Sequence, residues 1–303
     1  MEKNFEVISC LASASLIPEN LTTAPGFTAF ANKSKVVVVN SRQKPTLFEE
    51  PGTVSLVKHV KLEFQDCLVV GTFNGHLCIY CKEHKKGLHT IQKKETDAEP
   101  VYFHGCDTDG KSLLFLGGSL GICVYVVRED TIKELPTIST KLHVISVAYD
   151  NGRLYAGDEG GSVHIYQQQG ITPNSFGRLA KIEGKGFPCN SIKVLKGGKT
   201  VVCGYDNGTI SLIDVKSKTP VMTMKAHCSP VMAIAAHPSK VQFASVGEDS
   251  YLNVWNYNEK MNKVTVVNSL SMAKKFAVGV SYCEDGDITA TFFDDPNIYK
   301  FYG

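Results

Sequence analysis

The chain has 303 residues, 43% of them hydrophobic and 20% charged, which supplies material for a large core and too little charge for a disordered chain. Its 32 Lys and Arg nearly balance 30 Asp and Glu, so the net charge of +2 builds in no general attraction to nucleic acid or anionic lipid. No stretch approaches the roughly 18 uncharged apolar residues of a membrane span, and membrane insertion is not expected.

At the N-terminus, the apolar run from Val7 to Ile17 has the length of an export-signal core. Glu2 and Glu6 offset the positive charge such a leader carries, so export is not expected. The ten cysteines are spread from Cys10 to Cys283, several of them inside apolar runs, and read as buried thiols of a reduced compartment rather than a disulfide framework. The sequons at Asn20, Asn32 and Asn207 are then incidental.

Further along, one pattern recurs: a small residue, a turn rich in Asn, Asp and Gly, then alternating apolar positions ending in an aromatic or aliphatic residue. Gly71 to Tyr80, Gly157 to Tyr166 and Gly204 to Ile213 repeat it without a gap, and Gly117 to Tyr125 and Gly247 to Trp255 are one residue shorter. The leading glycines lie 46, 40, 47 and 43 residues apart, so 303 residues hold about seven units. Each unit reads as short strands around a Gly-rich turn, and no segment keeps a helical period.

Radial repetition of four-stranded units is the solution that leaves only short, protected sheet edges. The expected fold is therefore all-β, a seven-bladed β-propeller forming a single domain over 1–303. Its blades are placed near 11–50, 55–95, 99–140, 142–185, 187–228, 229–270 and 275–303. The last is too short for four strands. A strand at 4–10 supplies the fourth and closes the ring by pairing the two ends of the chain.

The segment from Ala226-His227 through Ser245 and Asp249 to Trp255 resembles the signature of the WD-repeat β-propeller family. That resemblance implies a structural tetrad, a hydrogen-bonded chain from Trp255 through Ser245 and His227 to Asp249 that locks the blade. The other blades place Asn74, Ser119, Gly160 and Asn207 where Asp249 stands, so weaker or absent locking is expected there. Over 186–257 the runs Gly186-Phe-Pro-Cys-Asn-Ser-Ile, Gly204-Tyr-Asp-Asn-Gly and Lys-Ala-His227 look like the narrower WD repeat-containing protein 54 family, which implies a non-catalytic interaction protein of the cytoplasm.

Several words in the text mimic chemistry. Gly117-Gly-Ser119-Leu-Gly121 matches a hydrolase nucleophile motif, but a strand follows where a helix is required, so it reads as a hairpin turn. Cys78-Ile-Tyr-Cys81 with His84 mimics half a zinc site, yet residues three apart on a strand point to opposite faces. Gly198-Lys-Thr200 lacks the first glycine of a phosphate loop and reads as a turn. The lysines at 82, 85, 86, 93 and 94, interleaved with Glu83, His84 and Glu95, read as a solvated blade edge. No catalytic residue, metal or cofactor is expected.

In a propeller the turns between second and third strands share one face. They bring Asp158, Glu159, Asp206, Glu248, Asp249, Asp294 and Asp295 there, with Lys141, Lys181, Lys185 and Lys225 from the linkers. The opposite face receives Lys82, Lys85, Lys86, Arg128, Lys216, Lys218, Lys260 and Lys263, offset by Glu83, Glu129, Asp130 and Glu259. The expected function is a scaffold that binds a partner protein through Phe73, Glu159, Tyr205, Asp206, Glu248 and Asp294, aromatic anchors with charged neighbours. Alternatives are a reader of basic peptides through an acidic face, or an enzyme with a central-channel site. A monomer outside any larger complex is expected, cytoplasmic and at most vesicle-associated or ciliary.

Overall fold

The computed structural model describes residues 5–40, 44–80, 102–128, 131–170 and 175–303, together with the backbone of 87–92. All regular structure in them is β, in seven four-stranded antiparallel sheets. These are the seven blades of a β-propeller. Cys81, Lys82, Glu83, His84, Lys85, Lys86, Lys93, Lys94, Glu95, Glu129 and Asp130 lie outside the described residues.

The chain divides into two compact units, 50–192 and 1–49 with 193–303. Unit 50–192 carries three whole sheets. The first is β6 (Val54–Lys61), β7 (Asp66–Thr72), β8 (His76–Tyr80) and β9 (Gly87–Gln92). The second is β10 (Phe103–Thr108), β11 (Leu113–Gly118), β12 (Gly121–Arg128) and β13 (Thr131–Ile138). The third is β14 (Val144–Asp150), β15 (Arg153–Asp158), β16 (Val163–Gln168) and β17 (Phe176–Ile182). Second and third strands are buried almost throughout, as in the Leu-Leu-Phe-Leu-Gly-Gly of β11, whereas the fourth strands are mostly open to solvent. That gradient is why inner strands read as continuous apolar runs and outer ones as mixed.

Apolar clusters pack between the sheets of the unit. Leu77, Ile79, Phe103, Leu114, Leu116 and Tyr125 form one, and Phe115, Ile122, Val124, Val144, Leu154 and Tyr166 another. Each fully buried Leu or Phe contributes on the order of 2 kcal/mol. The blades approach too closely at Gly105 for any side chain. A Cβ there would lie 2.7 Å from the Ser146 Cα, and φ is +52°, a region that favours glycine. The register of β10 slips at this point, between His104 and Cys106.

The other unit holds β2 to β5 (Thr22–Ala24, Phe27–Asn32, Lys35–Asn40, Thr46–Glu49) and β22 to β25 (Val231–Ala236, Gln242–Gly247, Tyr251–Asn258, Lys263–Ser271). It also holds β26 to β28 (Ala277–Tyr282, Ile288–Phe292, Asn297–Phe301), to which β1 (Phe5–Ser9) is added, Phe5 opposite Phe301 and Ser9 opposite Asn297. The first and last strands thus share one sheet, and neither leaves an orphan edge at that junction. The remaining sheet is β18 to β21 (Cys189–Val194, Thr200–Tyr205, Thr209–Asp214, Thr219–Lys225).

The first blade starts at Thr22, later than the 11 read from sequence, because 11–21 runs along the last blade: Asn20 N–H bonds to Val278 and Ala14 bridges to Phe293. Asn20 is itself buried, its amide holding Ser15 and both backbone groups of Ala31, so it is a structural residue and no surface sequon.

Candidate functional site

The site begins with a turn. Thr72 at the end of β7 bonds through its hydroxyl to Asn74 Oδ1 (2.6 Å) and receives the N–H of His76 (2.9 Å), so three residues reverse the chain and Phe73 projects outward, 38% exposed. Its own N–H is tied to the Thr53 carbonyl at 2.9 Å. The Phe73 ring meets Tyr102 at 6.2 Å and the His104 ring edge-on at 5.6 Å. Tyr102 packs edge-on against His104 (5.0 Å) and His143 (5.3 Å).

The Tyr102 hydroxyl and the Glu159 carboxylate converge on His143 Nδ1, the first by a hydrogen bond and the second at 3.4 Å. Phe73 and Glu159, 86 residues apart in the chain, are thereby joined through Tyr102 and His143. Sequence reasoning missed those two, and also His104, because they lie at blade entrances rather than in the repeated turn. Burial, reinforced by the neighbouring His143, pushes the His104 imidazole down to about 4, so it is neutral at physiological pH.

In the same unit Leu120 is exposed on the turn between β11 and β12, and Leu142 and Phe187 on the linkers before β14 and β18. Leu142 lies over Gly160, where a Cβ would come within 2.7 Å of its Cδ1, and the Phe187 carbonyl closes on Gly161. Beside them, Asp158 is buried and not the surface acid its turn position suggested. Its Oδ1 accepts the Ser162 N–H (2.7 Å) and its Oδ2 meets His164 Nε2 (2.9 Å). Burial raises the Asp158 carboxyl, the bonds from His164 and Ser162 lower it by more, and the net shift is downward.

In the other unit Trp255 Nε1 donates to Ser245 Oγ at 2.9 Å, His227 Nε2 lies 2.8 Å from the same oxygen, and His227 Nδ1 lies 2.9 Å from Asp249 Oδ1. Asp249 also accepts the N–H groups of Cys228 and Tyr251. Serine, histidine and aspartate in that order mimic a hydrolytic triad. Ser245 is completely buried and its oxygen is already occupied by both the indole and the imidazole, so no substrate atom can approach it. The geometry serves as a brace.

Side-chain bonds also brace the last blade, for which the sequence carried no expectation of a lock. At the last blade Lys275 bonds to Asp295 and to the Tyr299 hydroxyl (2.9 Å), which itself donates to Asp295 (3.0 Å), while Asn297 donates to the other carboxylate oxygen (2.7 Å). Asp295, like Asp158, is therefore an internal group. Tyr205 and Asp206 share one turn, closed by the Gly208 N–H on the Tyr205 carbonyl. Glu248 sits half-buried on a second turn, and Asp294 is exposed on a third with φ +55°.

Two of the motif mimics are turns, and the third falls partly on Cys81 and His84, outside the described residues. Ser119 lies in a tight turn between β11 and β12, its hydroxyl buried and without a hydrogen-bond partner among the described residues. Gly198-Lys-Thr200 closes the hairpin of β18 and β19, and Cys78 is buried on β8. Among the described residues no group of three or more His, Cys, Asp or Glu is placed to hold a metal, and no helix is long and apolar enough to cross a membrane.

The model of the WDR54 family matches residues 152–301. A relative from Dictyostelium discoideum, a WD repeat-containing protein 91 homolog, is 25% identical over 156 residues, which is 49% of this chain and 20% of that protein; the chain thus spans about a fifth of its length. Three solved structures share the fold. A chain in the crystal structure of the Mitotic Checkpoint Complex aligns with TM-score 0.79 at 16% identity, covering 98% of this chain and 91% of its own. The structure of U3-55K aligns at 0.80 and 14%, covering 99% and 98%, and the RRP9 WD40 repeats at 0.78 and 13%, covering 99% and 97%.

Proposed function

The chain belongs to the WD-repeat β-propellers, close to the WDR54 family, and from that premise we propose that it is a non-catalytic scaffold of the cytoplasm, monomeric outside its complexes, that holds a partner protein. The contact surface is the end of unit 50–192 built on Phe73, Tyr102, His143 and Glu159, with Leu142 and Phe187 beside them.

One observation carries this. Four large apolar side chains, Phe73, Leu120, Leu142 and Phe187, stand 38–44% exposed on the turns and blade entrances of a single unit, and Phe73 is joined to the rings of Tyr102 and His104. Apolar and aromatic anchors among polar neighbours are what binding hot spots are made of. The chain in the Mitotic Checkpoint Complex is a member of an assembly, which fits a role of this kind. Replacing Phe73 by Ala and Leu142 by Glu removes the anchors from a surface whose scaffold is left standing. The partner is expected to be lost from pull-downs with both variants while the thermal melt is unchanged; retention of every partner would overturn the assignment.

A second reading is a reader of basic peptides. It rests on the exposed Asp206 and Asp294 and the half-buried Glu248, three turn acids of the sequence. Charge reversal at Asp206 and Glu248 is expected to weaken a salt-sensitive, Lys-rich peptide and to leave the Phe73 surface untouched.

A further inference from the structure

The outer edges of the blades are not equally protected. A fourth strand presents a row of free backbone donors and acceptors, and proteins blunt such edges with charge, proline or brevity. Here β5 has four residues and ends in Glu49, β13 contains Lys133, Glu134 and Pro136, β17 contains Arg178 and Lys181, β21 contains Pro220, and β1 contains Glu6. Among the outer strands whose side chains are described, the exception is β25. It is the longest outer strand whose side chains are described, nine residues, and between Lys263 and Ser271 it has neither charge nor proline.

Five consecutive residues of β25, Thr265 to Ser269, are exposed, with Val266 at 56% and Val267 at 55%. Val264 and Leu270 on either side anchor it to the apolar clusters of its own sheet. Val267 is the extra residue of a bulge, which divides the edge into two runs of four. The same bulge stands at Leu179 in β17 and Val221 in β21, so it does not distinguish this strand.

We propose that the edge of β25 is a second docking site, which takes an extended segment of a partner protein as an added strand, with a β-branched centre and acidic flanks. The charges choose this occupant. Exposed Lys260 precedes the strand, exposed Lys263 is its first residue, and exposed Lys274 follows it. A second copy of this chain would bring like charges together in either direction, Lys263 beside Lys263 if parallel and Lys260 toward Lys274 if antiparallel, which is unfavourable. A segment with Asp or Glu at both ends meets cations instead, while main-chain bonds supply affinity along four residues.

The test uses the whole protein and two labelled peptides, acetyl-Asp-Asp-Thr-Val-Thr-Val-Asp-Asp and the same centre flanked by lysines, read by fluorescence anisotropy and amide hydrogen exchange. The acidic peptide is expected to bind at least about tenfold tighter and to slow exchange within 263–271. Val267→Lys adds a positive charge yet places it in the middle of the edge, so β25 pairing predicts a loss of about tenfold, whereas a merely electrostatic patch would gain. Thr265→Lys is the second variant should the first melt early. Equal binding of both peptides, no protection at β25, tighter binding by Val267→Lys, or self-association that protects β25 without peptide would each overturn the proposal.

Discussion

Blade β22–β25 and blade β14–β17 solve the same problem with different residues. Each has a carboxylate at the turn between its second and third strands, Asp158 buried and Asp249 half-buried, and each accepts a backbone N–H of that turn and meets an imidazole at 2.9 Å. In the first, His227 comes from the linker before the blade, and the chain runs on through Ser245 to the Trp255 indole, tying linker, turn and two strands together. In the second, Asp158 and His164 lie six residues apart within one hairpin, and His164 Nδ1 is buried with no partner among the described residues. In these two blades a turn carboxylate is satisfied by an imidazole, and the position from which that imidazole comes differs.

The comparison breaks most sharply on the carboxylates. Asp249→Ala strands a buried imidazole and frees two N–H groups and a linker, for a loss of about 4 kcal/mol; Asp158→Ala, which releases only its own hairpin, is expected at about 3 kcal/mol. Denaturation midpoints of the two variants settle the order. An Asp158→Ala loss larger than that of Asp249→Ala would mean that the local pair, and not the longer chain, is the main brace.

Acid separates the groups by the pH at which each loses its contribution, while the sign is the same for all. His104 is held low, so between its unfolded value near 6.5 and about 4 the unfolded state binds more protons and stability falls as pH falls. That fall is on the order of 3 kcal/mol, and His104→Phe is expected to flatten it. Asp158, Asp249 and Asp295 all have lowered carboxyls, so their contribution is intact above the usual carboxylate range and disappears as pH drops through their folded values. Melting temperatures from pH 7 to 3 are therefore expected to show two phases, of which only the upper one responds to His104→Phe. At the small end, Tyr299→Phe removes one hydroxyl from the Lys275 and Asp295 network and is expected to cost about 1 kcal/mol, measured the same way.

Much of this architecture is written in periodicity. The repeated Gly-led turn gives seven units because every blade needs a tight reversal between buried strands, and the set His227, Ser245, Asp249 and Trp255 is readable because its spacing is fixed by one hairpin and one linker. The other locks are not readable in that way. Asp158 with His164, and Lys275 with Asp295 and Tyr299, follow no shared spacing, and Asp158 and Asp295 look in sequence like ordinary turn acids. The aromatic surface was half legible. Phe73 and Glu159 stand in the repeated turns, but Tyr102, His104 and His143 enter from blade linkers, and only folding reveals that His143 joins the two.

The claim that the Phe73 surface is where a partner sits is tested most directly by chemical crosslinking of the native complex, followed by mass-spectrometric mapping of the joined sites. Crosslinks from Lys141 and Lys185, which flank Leu142 and Phe187 in the chain, to a partner that Phe73→Ala and Leu142→Glu no longer capture are the predicted result. Crosslinks at those lysines that persist in both variants, or a partner joined only at Lys216 and Lys218 in the turn between β20 and β21, would contradict it.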